Sequence, residues 1–203
     1  MRFLIKRILF LCGVIVTLPL ILLCWIEKWL IHPLLKEKPN HIYVGCVEIL
    51  SMTPTVIGKF MRVGFYWAVC DRVSPDCSIL FGCMLMHREV SIGKGVSVGP
   101  FTYMGFVDIE DDVIFGGRVS IISGKYQHGR PGQRTEGNGD FVEEDERLRI
   151  GKNSWIGQDV VLMANVGENC TVGAGSVVYK DVPDNTTVLG NPARKVNLDA
   201  MNK

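Results

Sequence analysis

Val90-Ser91-Ile92-Gly93-Lys94-Gly95-Val96-Ser97-Val98-Gly99-Pro100-Phe101-Thr102-Tyr103-Met104-Gly105 is the stretch that decides the fold. Ile92, Val98 and Met104 stand six apart, and each is followed by glycine. That period is neither the 2 of an ordinary strand nor the 3.6 of a helix. After a slip of one residue, Ile109, Phe115 and Ile121 continue the series. Ile150-Gly151, Ile156-Gly157 and Leu162 resume it beyond an interruption, and Val166-Gly167, Val172-Gly173 and Val178 follow a second slip. A six-residue unit supplies one short flat side of a coil, its apolar residue pointing inward and the small residue after it allowing a tight corner. Three such sides close a triangular turn, and turns stacked at about 4.8 Å place each inward residue on its counterpart. A β-sandwich with glycine turns is the rival, and the six-residue spacing on both sides of the interruption argues against it. Such a coil is filled by its own side chains, so any site must lie on its faces or between subunits.

At 203 residues the chain holds one core and an appendage. The appendage comes first: Ile8 to Ile26 contains no charged residue and is about long enough to cross a bilayer. Arg2, Lys6 and Arg7 precede it, and Trp25 and Trp29 stand where interfacial aromatics belong. No A-x-A-like cleavage site follows, which speaks against a removed signal peptide. Lys28, Lys36 and Lys38 balance the leading basic residues, so charge leaves the orientation open, and Pro19 allows a segment that dips in and returns. Residues 1–32 are therefore expected to be a membrane anchor, residues 33–78 a linker with an amphipathic helix, and residues 79–203 the repeat domain. In the middle segment Thr53-Pro54 is placed like an N-cap and first helical residue. Ile57, Phe60, Met61, Phe65 and Val69 then recur at helical spacing, for a helix lying on the membrane or packing on the main domain.

The formal net charge of +1 gives no field that would steer the protein to nucleic acid. The seven cysteines lack CxxC pairs and read as free thiols in a reducing compartment, and no metal site is expected.

The interruption, about residues 124–149, is polar and rich in glycine and charge, and a long loop on a rigid solenoid is a usual place for function. It contains Tyr126-Gln127-His128-Gly129. An imidazole held there is suited to removing a hydroxyl proton near neutral pH. Glu143, Glu144, Asp145 and Glu146 offer a possible orienter, although a solvated charged loop is the simpler reading. His32 and His41 fall in the anchor and linker, and His87 precedes the clearest repeats with no long loop around it.

The repeats, the loop carrying His128, Asn153-Ser154-Trp155-Ile156-Gly157, Val172-Gly173-Ala174-Gly175-Ser176-Val177-Val178, Lys180-Asp181-Val182-Pro183 and Gly190-Asn191-Pro192-Ala193-Arg194 together resemble the hexapeptide-repeat O-acetyltransferases over roughly residues 79–197. Galactoside, maltose, capsular and O-antigen acetyltransferases are similar in these stretches. The resemblance implies an all-β domain, a left-handed parallel β-helix, behind the N-terminal transmembrane or membrane-inserted helix. It implies His128 as general base, acetyl-CoA as co-substrate, and a homotrimer with the donor in grooves between subunits. Trp155, Ala174, Lys180 and Arg194 would line that groove, the last two near the cofactor phosphates. Two departures stand out: the four-residue step from Leu162 to Val166, and Tyr179 where many relatives carry a small hydroxyl residue.

The function expected is transfer of an acyl group from acyl-CoA to a hydroxyl of a membrane-associated glycan or glycolipid, at the cytoplasmic face of the inner (plasma) membrane. N-acylation of an amino sugar and a non-catalytic β-helix scaffold are the alternatives.

Overall fold

Six residues between inward side chains leave two for a strand and four for a corner, and the chain follows that division. A computed structural model describes residues 2–35, 40–123 and 147–196. Its strands stack into three parallel faces. Face A holds β1 (Arg72–Val73), β4 (Ser91–Ile92), β7 (Val107–Ile109) and β10 (Leu148–Ile150), and single bridges at Val166 and Val182 extend it. Face B holds β2 (Ser78–Ile79), β5 (Ser97–Val98), β8 (Ile114–Phe115), β11 (Trp155–Ile156), β13 (Thr171–Val172) and β15 (Thr187–Leu189). Face C holds β3 (Met84–Leu85), β6 (Tyr103–Met104), β9 (Ser120–Ile121), β12 (Val161–Leu162) and β14 (Val177–Val178). A last strand, β16 (Arg194–Lys195), turns back antiparallel on β15. This is the parallel β-helix that the period of six predicts.

Register explains the period. On face A, Ile92 pairs with Ile109, Ile109 with Ile150, Ile150 with Val166, and Val166 with Val182, and all five are buried. Columns through Ile79, Val98, Ile156 and Val172, and through Leu85, Met104, Ile121 and Leu162, fill the other two sides of the triangle. Each column buries aliphatic side chains against the coil above and below, worth about 1.5–3 kcal/mol for each full side chain.

The slips in the repeat all fall at one corner. From face A to B and from B to C the inward residues stay six apart, as in Ile92 to Val98 to Met104 or Val166 to Val172 to Val178. From face C back to A the step changes: Leu85 to Ile92, Met104 to Ile109, Ile121 to Ile150, Leu162 to Val166 and Val178 to Val182. Pairing with the coil below resets the register after every corner, so a corner can change length without disturbing the column.

Four helices precede the first turn, and the last two pack on it. They are α1 (Arg2–Ile26), followed by a π-helical turn Glu27–Ile31, then α2 (His32–Leu35), α3 (His41–Ser51) and α4 (Thr55–Val69). Pro54 is the N-cap of α4, one residue later than the sequence suggests. This helix packs on the β-helix and does not lie free: Phe65, Tyr66 and Val69 are buried. Its Arg62 is 1% exposed and donates to the carbonyls of Ile79 (3.1 Å), Leu50 (2.9 Å) and Thr53 (2.8 Å). Residues 33–78 also supply β1 and the first residue of β2. On its other side α4 meets α1 where both carry glycine. A Cβ on Gly13 would stand 2.3 Å from the Phe60 carbonyl oxygen, and one on Gly64 would stand 2.8 Å from the Val14 nitrogen.

Candidate active site

Because every irregular step lies at the corner from face C to face A, the outward residues of that corner form one column along the solenoid. From the helical end upward it runs His87, Phe106, the point where residues 124–146 leave and rejoin, Met163 to Asn165, and Tyr179 to Asp181. His128 and the acidic residues Glu143, Glu144, Asp145 and Glu146 lie outside the described residues, and the two flanks of that segment are well tied.

On the entering side Ser123 is buried and its Oγ accepts a hydrogen bond from the Phe106 N–H at 2.7 Å. Gly105 makes room for it, since a Cβ there would stand 2.1 Å from the same oxygen. On the returning side the Arg147 guanidinium donates to Asp108 at 3.1 Å. Arg149 N–H donates to Asn165 Oδ1 (2.8 Å), and Asn165 N–H to Asp181 Oδ1 (2.9 Å), a ladder that ties three coils together beside the corner. The Arg149 side chain binds Glu110 at 2.6 and 2.8 Å, and this hydrogen bonding holds the Glu110 carboxyl below its usual pKa.

His87 stands two coils below. Its ring stacks on Phe106 with centroids 3.6 Å apart and planes at 23°. Burial pushes its pKa below the usual imidazole value, with Glu89 acting weakly the other way, so the ring is neutral at neutral pH. Tyr43 Oη, 2.8 Å from the Leu85 carbonyl oxygen and 3.2 Å from that of His87, fixes the backbone of this corner. In the sequence His87 is a weaker candidate than His128, because no long loop surrounds it. Stacking of coils brings it into the same column as the loop, and the seven-residue step from Leu85 to Ile92 was the signal that could have shown this.

Two coils above the loop, Lys180 and Arg194 come together on the ring of Tyr179. Lys180 Nζ lies 5.5 Å from the ring centroid and the Arg194 guanidinium carbon 5.8 Å from it, and Arg194 Nη1 donates to Tyr179 Oη at 3.4 Å. Tyr179, noted above as a departure, is thus the aromatic surface that gathers two exposed cations. Ala174 is exposed at the corner between faces B and C. Trp155 is 52% exposed on the outer side of face B, beside Ile114, which is equally exposed. Lys180 therefore lies beyond face C from Trp155, whereas Arg194 returns on β16 to the end of face B, the sheet that also carries Trp155, and meets Lys180 at the Tyr179 ring.

Buried thiols complete the inventory of reactive groups. Burial pushes Cys70 and Cys77 up to about 12 and Cys83 up to about 11, so they stay protonated, and all seven cysteines are free.

Residues 148–180 match the family model described as bacterial transferase hexapeptide (six repeats). The bifunctional protein GlmU of Synechococcus sp. (strain CC9605) is 34% identical over an alignment of 160 residues that covers 66% of this chain and 34% of that protein. The galactoside O-acetyltransferase of Lactococcus lactis subsp. lactis (strain IL1403) is 33% identical over 119 residues, covering 52% of this chain and 55% of the relative. The chain thus spans between about a third and about half of these curated relatives. A maltose O-acetyltransferase from Clostridium difficile 630 shares the fold, with a TM-score of 0.60 at 20% identity over 76% of this chain and 83% of the other.

Proposed function

We propose that this chain, which carries the bacterial transferase hexapeptide repeat, is an acyl-CoA-dependent O-acetyltransferase acting on a hydroxyl of a membrane-associated glycan or glycolipid. The observation that carries the reading is the corner column, in which a loop-bearing edge and a pair of cations gathered on Tyr179 share one side of a filled solenoid. Acetyl-CoA supplies an activated thioester. Lys180 and Arg194 offer charge to its phosphates, Ala174 offers closely approachable backbone, and Trp155 offers an apolar surface for the remainder. His128 takes the acceptor hydroxyl proton as the oxygen attacks the thioester carbonyl. The carbon–sulfur bond breaks, and the proton passes to the departing thiolate. Because Trp155 and Lys180 lie on different faces, a neighbouring copy in a homotrimer completes the groove. The exposed pair Trp155 and Ile114 is the kind of apolar surface a second copy would cover. The apolar helix α1 keeps the enzyme at the cytoplasmic face of the inner membrane, where acyl-CoA is made.

The test is transfer of radiolabelled acetyl from acetyl-CoA to a membrane lipid extract. Label that mild alkali releases is the expected result. Alkali-stable label would point to an amino-sugar acceptor instead, and absence both of transfer and of coenzyme A binding by calorimetry would sink the enzymatic reading. In the same assay Lys180→Ala and Tyr179→Ala should each raise KM for acetyl-CoA by about tenfold, roughly 1.4 kcal/mol, with little change at saturating donor. Unchanged KM in both variants would remove this corner from the cofactor site.

A further inference from the structure

We propose that α1 lies in the plane of a membrane surface, with its outer face inserted into lipid, and that the β-helix stands upright on it instead of hanging from a spanning helix. The inference rests on the membrane-held part of the proposed function and not on its chemistry, so an inactive variant tests it equally well.

Both ends of α1 are held by the first turn of the solenoid. Near its start, Lys6 Nζ lies 3.3 Å from Asp76 Oδ1, in the corner between β1 and β2. Near its end, the Cys24 carbonyl accepts a hydrogen bond from Arg88 Nη1 at 2.9 Å, and Glu27, just beyond, forms a buried ion pair with the same guanidinium. Arg88 lies in the corner between β3 and β4. Lys6 and Cys24 are eighteen residues apart, about 27 Å of helix. A helix standing across a bilayer can rest one end on a domain at one membrane face, but its other end is then a bilayer away. A helix held at both ends by one coil runs across that coil, and the membrane that receives it runs the same way.

The burial of α1 agrees. Gly13, Thr17, Ile21, Cys24 and then Glu27 are buried, a stripe three or four residues apart that faces α4 and α3 and meets Arg88 of the coil at its end. Leu4, Ile8, Leu11, Ile15, Leu18 and Leu22 are exposed along the whole opposite side. Only 22% of the most apolar window is buried, too little for a core helix, and its mean hydropathy is 2.7. Protein-binding surfaces carry polar rims and hydrogen-bonding groups. Between Ile8 and Ile26 the polar side-chain groups are the Cys12 thiol, the buried Cys24 thiol, the buried Thr17, which bonds back to the Gly13 carbonyl, and at the end the Trp25 indole N–H, which is already bonded to the protein, so lipid is the occupant that fits. Trp29, 74% exposed, and Trp25, whose Nε1 donates to the Ala68 carbonyl at 3.2 Å, stand at its end, and Lys28 beside them is exposed.

Cys12 is a native reporter: it is exposed near the middle of α1, while the other six cysteines are buried or half-buried. With a nitroxide on Cys12 in the full chain, reconstituted in phosphatidylcholine–phosphatidylglycerol vesicles, power saturation should place the label within about 10 Å of the phosphates. A label at the bilayer centre would overturn the proposal in favour of a spanning helix. Epitope tags before Met1 and after Lys203 should be digested from the same side of sealed vesicles, and protection of one tag alone would overturn it equally. Leu11→Asp with Ile15→Asp should abolish flotation with vesicles while circular dichroism and coenzyme A binding persist. A wild-type chain that stays in the soluble fraction as a defined oligomer and does not float would show that another copy covers this face, and would also refute the idea.

Discussion

His128→Ala should lower turnover by about two to four orders of magnitude, the usual size of a general-base contribution, while KM for acetyl-CoA and subunit assembly stay near normal. The separation is expected because the proposed base acts on the acceptor hydroxyl, whereas the proposed donor contacts are those of Lys180, Tyr179 and Arg194, which meet at a corner of their own. Steady-state kinetics with acetyl-CoA and the lipid acceptor measure both quantities at once. Near-normal turnover would remove His128 from the chemistry and turn attention to His87, which shares the corner column and whose ring burial keeps neutral. A base of that kind would lose activity as pH falls through its lowered pKa, since protonation removes the lone pair that accepts the proton.

Arg88→Met should destabilise the protein by about 3–5 kcal/mol, the penalty for stranding one partner of a buried ion pair. The Arg88 and Glu27 side chains are 3% and 2% exposed. The Glu27 carboxylate also accepts the N–H groups of Ile42 (2.8 Å) and Tyr43 (3.1 Å) at the start of α3, and the Arg88 guanidinium lies 5.0 Å from the Tyr43 ring centroid. Removing the cation leaves a charge with no water to take its place, at the point where α1, α3 and the first coil meet. Glu27→Gln added to Arg88→Met should recover part of the loss, because the amide oxygen can still cap α3 without a charge. Chemical denaturation in detergent would check the pair. An Arg88→Met protein as stable as the parent would mean that solvent reaches this junction.

The β-helix was legible because its rule is local. An inward residue every six positions is imposed by the length of one side of the coil, and Ile92, Val98, Met104 and their successors display it without reference to anything distant in the chain. The apolar length of α1 and the helical spacing of α4 are local in the same way. The meaning of the slips was not legible. In the sequence, the steps at Ile109 and Val166 and the long interruption look like separate faults. Tertiary stacking shows them to be one corner of one coil repeated, which is how His87 enters the column of the loop and why Tyr179 is a junction for Lys180 and Arg194.

By itself, then, the sequence determined the repeat, the filled interior and the presence of an apolar helix, since each follows from the period or hydropathy of consecutive residues. Only the tertiary structure decided which corners align, which cations meet, and that α1 touches the first coil at both ends through Asp76 and Arg88. Those contacts join residues 70 and 64 positions apart. They depend on how coils and helices close on one another in space, and no local period records that closure.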